Sequence, residues 1–416
     1  MKTYTEDQIA KLRDDIINNR DTSAPQAAIK LPRPHGELLE DGGVSLKRRP
    51  KVEYTPSGYT YEQHEIDLKK LLGCSISPHC GNNIVWDQKN SCMAYSLQNK
   101  LVFEQFDQEK TQVLKQEFND PIHSVQLSNS GKMVLAHTKV GTLDGYPQII
   151  VWDTQTRRKV SQIAIDDEEV RGVYFSNYSN MLLVISYDSK RGQSTIAVWD
   201  FLDGRREYFC KSIVPFEIVG AQWNPYLNAE ADEFVTICKT TYHYWRITKT
   251  LQLQNQSGRL PKDRFEGHFT TVTFVEPMHE QNSVYMLIGL STGFVWVLDT
   301  RTNSFMHSVK VLDCPIWKIV SSISRIVVEG AEDTKVHSWE LKKTIGDFDY
   351  DASDPDYFFA GPEKTITLDG HPSASHYDLT AAEALFISSN NTIWLVNFIE
   401  SLTVKLKSCH EPTTML

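Results

Sequence analysis

The sequence predicts an all-β fold, a single seven-bladed β-propeller, preceded by a short helix and an extended arm. Three observations carry that expectation. One pattern occurs twice, as Ile149-Ile150-Val151-Trp152-Asp153-Thr154 and as Thr195-Ile196-Ala197-Val198-Trp199-Asp200, with Trp199 47 residues after Trp152. Each copy follows an apolar run and a polar turn (residues 126–131 and 174–180), so a whole β-rich unit recurs near the ~40–45-residue period of a blade. The 18 Phe, 17 Tyr and 9 Trp also suit strands. A lone four-stranded blade cannot bury both its faces, so two copies imply neighbours, and a ring gives every blade one on each side.

In chain order, residues 1–62 stand apart from the repeats. Thr5-Glu6-Asp7-Gln8 reads as a capping box opening a helix with Ile9, Leu12, Ile16 and Ile17 on one face, ending near Asn19. It spans only ~2 heptads, too short for a coiled coil, which needs ~3–4. Ala24-Pro25, Leu31-Pro32-Arg33-Pro34, Asp41-Gly42-Gly43 and Pro50 then break the chain into an arm that buries too little to fold alone. Its basic cluster, Lys47, Arg48, Arg49 and Lys51, is either a docking element for an acidic surface or a solvated tail.

The propeller is expected over 63–410, with a short tail at 411–416. Blade 1 holds Asn83-Ile84-Val85-Trp86, Cys92-Met93-Ala94-Tyr95, Leu101-Val102-Phe103 and Gln112-Val113-Leu114. Blades 2 and 3, about 122–165 and 168–213, are the two clear copies. Blade 4 contains Trp223-Asn224-Pro225, Phe234-Val235-Thr236-Ile237 and Tyr244-Trp245-Arg246, with Arg246 in the Asp position. Blade 5 opens at Gly267-His268 and reaches Val295-Trp296-Val297-Leu298-Asp299, blade 6 runs from Ile316 to Trp339-Glu340, and blade 7 follows Gly370-His371. His268 and His371 are expected to be buried and hydrogen-bonded to a Ser or Thr, an Asp and the blade Trp, because burial demands such partners. Trp152, Asp153, Trp199, Asp200, Trp223, Trp245, Trp339 and Trp394 are the other expected structural residues. Ring closure is left open, since Leu68 to Leu72 and Val404 to Leu406 compete for the outer strand of the last blade.

The net charge of −10, from 43 basic and 53 acidic residues, argues against a surface that coats nucleic acid. The start of the chain is charged and polar, so no signal peptide is expected. No apolar run approaches ~20 residues, so no membrane span is expected. Seven scattered cysteines read as reduced thiols. There is no nucleotide loop, no Gly-x-Ser-x-Gly and no paired zinc ligand; Cys74, His79 and Cys80 match no common zinc spacing, so no metal, cofactor or catalytic residue is expected. The insertion at 347–359 is acidic and aromatic. Its Asp347-x-Asp349-x-Asp351 opening lacks the Gly and Glu of a calcium loop, having Ala352 and Phe358 in their places. Phe348, Tyr350, Asp354, Asp356 and Tyr357 are therefore candidate partner contacts, or part of a loop folded on its own blade.

Four segments carry a resemblance: Leu72-Gly73 with Asn82-Asn83-Ile84 and Met93-Ala94-Tyr95; the long loop 136–148; Trp223-Asn224-Pro225 with Thr236-Ile237-Cys238-Lys239 and His243-Tyr244-Trp245; and Thr392-Ile393-Trp394 with Lys405-Leu406-Lys407. Over roughly 66–410 the chain resembles the echinoderm-microtubule-associated-protein-like and the cilia- and flagella-associated WD-repeat proteins, departing at Cys238, where that family prefers Gly. The resemblance implies a non-enzymatic scaffold in a large complex, binding tubulin and other axonemal proteins in the cytoplasmic cytoskeleton of a cilium or flagellum. A generic WD-repeat adaptor or substrate receptor is the alternative; the sequences after Trp152-Asp153 and Trp199-Asp200 lack the Arg such receptors often carry.

Overall fold

The computed structural model describes residues 82–408 apart from 89–91, 106–110, 115–117, 142–144, 177–179, 203–207, 227–231, 259, 261–266, 276–283, 323–324, 342–358, 360–363, 379 and 391. Among the described residues, 28 strands form seven antiparallel four-stranded sheets, each built from four consecutive strands paired in chain order. The blades span 84–113, 122–164, 169–214, 220–257, 269–310, 316–367 and 372–408. The first strand of each blade lies innermost, and these inner strands meet around a central channel.

Burial explains the sequence pattern. In the second strand of blade 3, Met181–Asp188, Leu182 and Val184 pack toward blade 2 while Leu183 and Ile185 pack toward blade 4. Side chains alternate faces along a strand, so a strand buried on both faces reads as an unbroken apolar run. Seven apolar clusters result, one in each interface between neighbouring blades.

The two halves of the Trp-Asp pair do different jobs. Trp152 is buried at the blade 1–blade 2 interface, edge-on to Phe118 at 5.9 Å. The Asp153 carboxylate turns the chain into the outer strand, accepting from the N–H groups of Gln155 (3.1 Å) and Thr156 (2.7 Å). Asp200 accepts from the Leu202 N–H and Asp299 from that of Arg301 in the same way. Where Arg246 replaces the acid, its guanidinium instead reaches Glu233 on the neighbouring strand at 2.7–2.8 Å. The Trp245 indole donates to Thr236 Oγ1 (2.9 Å) and that of Trp223 to the Tyr174 carbonyl (3.1 Å).

The expectation for the two Gly-His positions is corrected. The side chains of His268 and His371 are exposed. Each residue works through its backbone: the carbonyls of His268 and His371 accept from the N–H of Ser291 (2.9 Å) and Ser389 (2.8 Å). In blade 7 the acceptor is Asp369, two residues before His371, which receives Ser388 Oγ (2.5 Å) and Trp394 Nε1 (3.0 Å). A carboxylate satisfies both donors at once and with stronger, charge-assisted bonds than an imidazole makes.

Among the described residues the ring closes without strand exchange; Leu68 to Leu72 lie outside them. Residues 402–408 form the outer strand of blade 7, so that blade is complete from contiguous sequence. Blades 7 and 1 then meet through a buried cluster in which Ile84, Met93, Tyr95 and Val102 pack on Leu385, Ile387 and Ile393. Asn82 fastens the join: its Oδ1 accepts from the Ser375 N–H of blade 7 (3.1 Å), and its carbonyl accepts from the Val125 N–H (2.6 Å) and Ser124 Oγ (3.1 Å) of blade 2.

Candidate interaction surface at the channel mouth

One irregularity recurs around the ring. In blades 2, 3, 5, 6 and 7 the inner strand carries a single extra residue near its start, so pairing with the second strand skips His123, Arg171, Thr270, Trp317 and Ser373 respectively. A bulge bends the strand and re-aims one side chain, and bulges concentrate beside functional sites. In blade 4 the Val219 N–H and the Gly220 position both address Ile237, which puts Val219 in the same place. All six residues line the mouth of the central channel, a cavity of 330 Å³.

The crown they form mixes apolar and basic groups. Trp317 and Val219 remain about 40% exposed. Arg171 is held by two carboxylates, Glu169 (3.1 Å) and Glu217 (3.1 Å), with its guanidinium over the Tyr187 ring at 5.0 Å. Lys139 pairs with Glu169 (3.0 Å) and Lys239 with Glu217 (3.6 Å), so alternating charges tie blades 2, 3 and 4 together. Beside them the rings of His123 and His137 meet edge to face at 5.4 Å. Burial, then Lys139 and Arg171, pushes His123 down to about 4; burial, then His123, pushes His137 down to about 3. Both imidazoles are thus neutral at physiological pH.

Deeper in the channel wall lies a second polar group. Lys318 Nζ donates to the carbonyl (2.8 Å) and Oγ (2.9 Å) of Ser375, whose Oγ donates to Glu329 (2.6 Å). The Tyr377 hydroxyl donates to the same Glu329 oxygen (2.6 Å). Burial lowers the Lys318 amine and raises the Tyr377 phenol, the latter helped by Glu329. The Ser375 proton is committed to the carboxylate and the residue is almost fully buried, so Ser375 is tied down rather than poised as a nucleophile. The network links blades 6 and 7 as Asn82 links blades 7 and 1. Among the described residues, no three His, Cys, Asp or Glu side chains converge as metal ligands.

The partner contacts expected from sequence fall elsewhere. Lys47, Arg48, Arg49, Lys51, Phe348, Tyr350, Asp354, Asp356 and Tyr357 lie outside the described residues. At the end of that insertion, Phe359 is buried in the blade 5–blade 6 core, edge-on to Trp339 at 5.2 Å. The crown was missed because its members share no residue type. The available signal was positional: an apolar residue, the bulged residue, then a channel-lining residue, as in Ile122-His123-Ser124, Val170-Arg171-Gly172 and Ile316-Trp317-Lys318.

Known proteins are similar to this chain at the level of the fold. It is 21% identical over 301 residues to WD repeat-containing protein 90 of Xenopus tropicalis, a match that covers 71% of this chain and 15% of that protein. No family model matches. Among solved structures, Sqt1 of Saccharomyces cerevisiae superposes with a TM-score of 0.55 at 12% identity, covering 80% of this chain and 87% of Sqt1. The β-propeller domain of Cps50 (Swd1) from Myceliophteria thermophila gives 0.54 at 13% identity, covering 69% and 86%. These likenesses, with the seven repeated blades, show the β-propeller fold, and the chain spans only a small part of the WD-repeat protein it matches.

Proposed function

We propose that this propeller is a non-enzymatic scaffold of a microtubule assembly, in the cytoplasmic cytoskeleton and specifically the axoneme of a cilium or flagellum, and that the channel mouth is one of its contact surfaces. The observation that carries the contact surface is the repeated bulge, which turns one side chain per blade to the same opening in blades 2 to 7. Exposed Trp together with Arg is the composition of protein-binding hot spots. The ring holds these groups rigidly, so little ordering cost falls on binding. The microtubule part rests on the sequence resemblance to the microtubule- and cilium-associated WD-repeat proteins.

Co-sedimentation of the full chain with stabilised microtubules tests both parts. The wild type is expected to pellet, and the Arg171→Ala/Trp317→Ala variant to bind at least about tenfold more weakly, the scale of losing one hot spot. A wild-type chain that stays in the supernatant removes the microtubule reading. Equal pelleting of both proteins, with circular dichroism showing both folded, removes the channel mouth as the surface.

A further inference from the structure

The turn into the outer strand holds a left-handed residue at the same place in blades 2, 5 and 7. Arg157 follows Asp153 by four positions, Asn303 follows Asp299 and Ser401 follows Asn397, with φ of +59°, +50° and +55°. That conformation suits Asn and disfavours a long side chain. In blade 5 the Asn303 amide is committed to the Ser257 carbonyl of the preceding blade (3.2 Å). Arg157 also reaches the preceding blade. Its guanidinium carbon lies 3.9 Å from the centroid of the Phe103 ring, and Nη2 donates to Cys92 Sγ (3.2 Å). Burial pushes the Cys92 thiol up, against the pull of Arg157, so the sulfur is a neutral acceptor and leaves the cation uncompensated. The guanidinium is thus fixed on a ring face, with the rest of its five-donor fork unused among the described residues.

Further bases flank the same turn. The Thr154 N–H donates to the Lys132 carbonyl (2.8 Å) and the Asp153 N–H to that of Arg158 (3.0 Å), so the two loops lie side by side. Lys132, Arg158 and Lys159 are exposed. Elsewhere on the ring Lys139, Arg171, Lys239, Arg246 and Lys405 each lie within 4.0 Å of a carboxylate. Lys132, Arg157 and Arg158 have no such carboxylate among the described residues. Asp153, in the same turn, caps the Gln155 and Thr156 N–H groups, and Asp87, beside Gly131, is only 7% exposed. The result is a cationic corner on a chain of net charge −10. It lies away from the channel mouth, because the loop 128–132 follows the far end of the inner strand Ile122–Leu127.

We propose that this corner of blade 2 binds an acidic peptide segment of a partner protein, with one carboxylate in a bidentate pair with Arg157 and adjacent carboxylates facing Lys132, Arg158 and Lys159. A planar guanidinium held on a ring matches the two oxygens of a carboxylate. A side chain already fixed loses little freedom on binding. The bases are spread over two loops, which a run of Glu or Asp meets at several points at once. A nucleic acid would run past them over a chain of net charge −10. The site depends neither on the channel mouth nor on the microtubule reading.

Fluorescence anisotropy of a labelled oligoglutamate peptide, titrated with the full chain, tests this. Every protein compared carries Lys47→Ala, Arg48→Ala, Arg49→Ala and Lys51→Ala, which removes the other basic cluster of the sequence. That parent is expected to bind, and to bind more weakly at about 0.3 M salt, where the screening length falls below about 8 Å. Lys132→Glu/Arg158→Glu is expected to bind at least about tenfold more weakly, since like charges now face the peptide. Arg157→Lys keeps the charge but loses the fork and the stacked plane, and is expected to bind at least about threefold more weakly. Lys249→Glu/Lys335→Glu makes the same change in net charge at exposed bases of blades 4 and 6, and is expected to bind as the parent does. Circular dichroism should show all of them folded, and the exposed Lys132 and Arg158 report on the site independently of any change in the Arg157 turn. A parent that does not bind, parent-like binding by Lys132→Glu/Arg158→Glu or by Arg157→Lys, or an equal loss in Lys249→Glu/Lys335→Glu would overturn the proposal.

Discussion

Leu385 and Leu287 offer a matched test of how the ring closes. Each is the third residue of a six-residue second strand, in blade 7 and blade 5. Both are fully buried, and both face the following blade: Leu385 packs across the join with blade 1, Leu287 across the ordinary interface with blade 6. Truncating a buried Leu to Ala removes its transfer free energy and leaves a cavity that the surroundings only partly fill, about 3–4 kcal/mol in a well-packed site. If the join is packed like any other interface, Leu385→Ala and Leu287→Ala should lose the same amount. Urea unfolding followed by the fluorescence of the nine tryptophans reads it. Both midpoints should fall by roughly 1 M, taking a slope of about 3 kcal/mol/M. A loss below about 1 kcal/mol for Leu385→Ala, beside a full loss for Leu287→Ala, would refute closure through this cluster.

Three further outcomes are expected. Thr236→Val leaves the buried Trp245 N–H without its acceptor and should cost about 1–3 kcal/mol in the same unfolding assay, whereas Trp339→Phe, which removes an N–H that has no partner among the described residues, should forfeit no hydrogen bond. Gly293→Ala should lower the melting temperature by the equivalent of about 1–3 kcal/mol, because Gly293 sits at φ +80° and a Cβ there would lie 2.0 Å from the Leu312 carbonyl oxygen. The protein should lose stability as pH falls from about 6.5 toward 3. His123, His137 and His376 are held neutral by burial, with folded values of about 4, 3 and 3. The unfolded chain therefore takes up protons first, and the stability present above 6.5 drains away through that window. Asp369 adds to the loss at the acid end. Burial raises its carboxyl, but hydrogen bonds from Ser388, Thr392 and Trp394 and the charge of Lys405 outweigh that and hold it below the usual range. Thermal melts at pH 7, 5.5 and 4 check the sign, and a melting temperature that rises on acidification would reverse it.

The sequence by itself determined the blades. Trp152-Asp153 and Trp199-Asp200 mark units whose pattern is local: an apolar run buried on two faces, and a carboxylate three residues or fewer from the N–H groups it caps. Such features depend on neighbours in the chain, so they survive in the weaker copy that ends at Asp299, whose carboxylate caps the Arg301 N–H. Only the tertiary structure decided the rest. Gly267-His268 and Gly370-His371 read as buried hydrogen-bonding centres, yet the imidazoles face solvent and Asp369 takes the Ser388 and Trp394 donors. Closure by Asn82 and Leu385 joins residues about 300 positions apart, a distance over which sequence pattern carries no register. The channel mouth is nonlocal in the same way: His123, Arg171, Val219, Thr270, Trp317 and Ser373 have nothing in common but one extra residue at the same height in six inner strands, and a bulge declares itself only when the partner strand is in place.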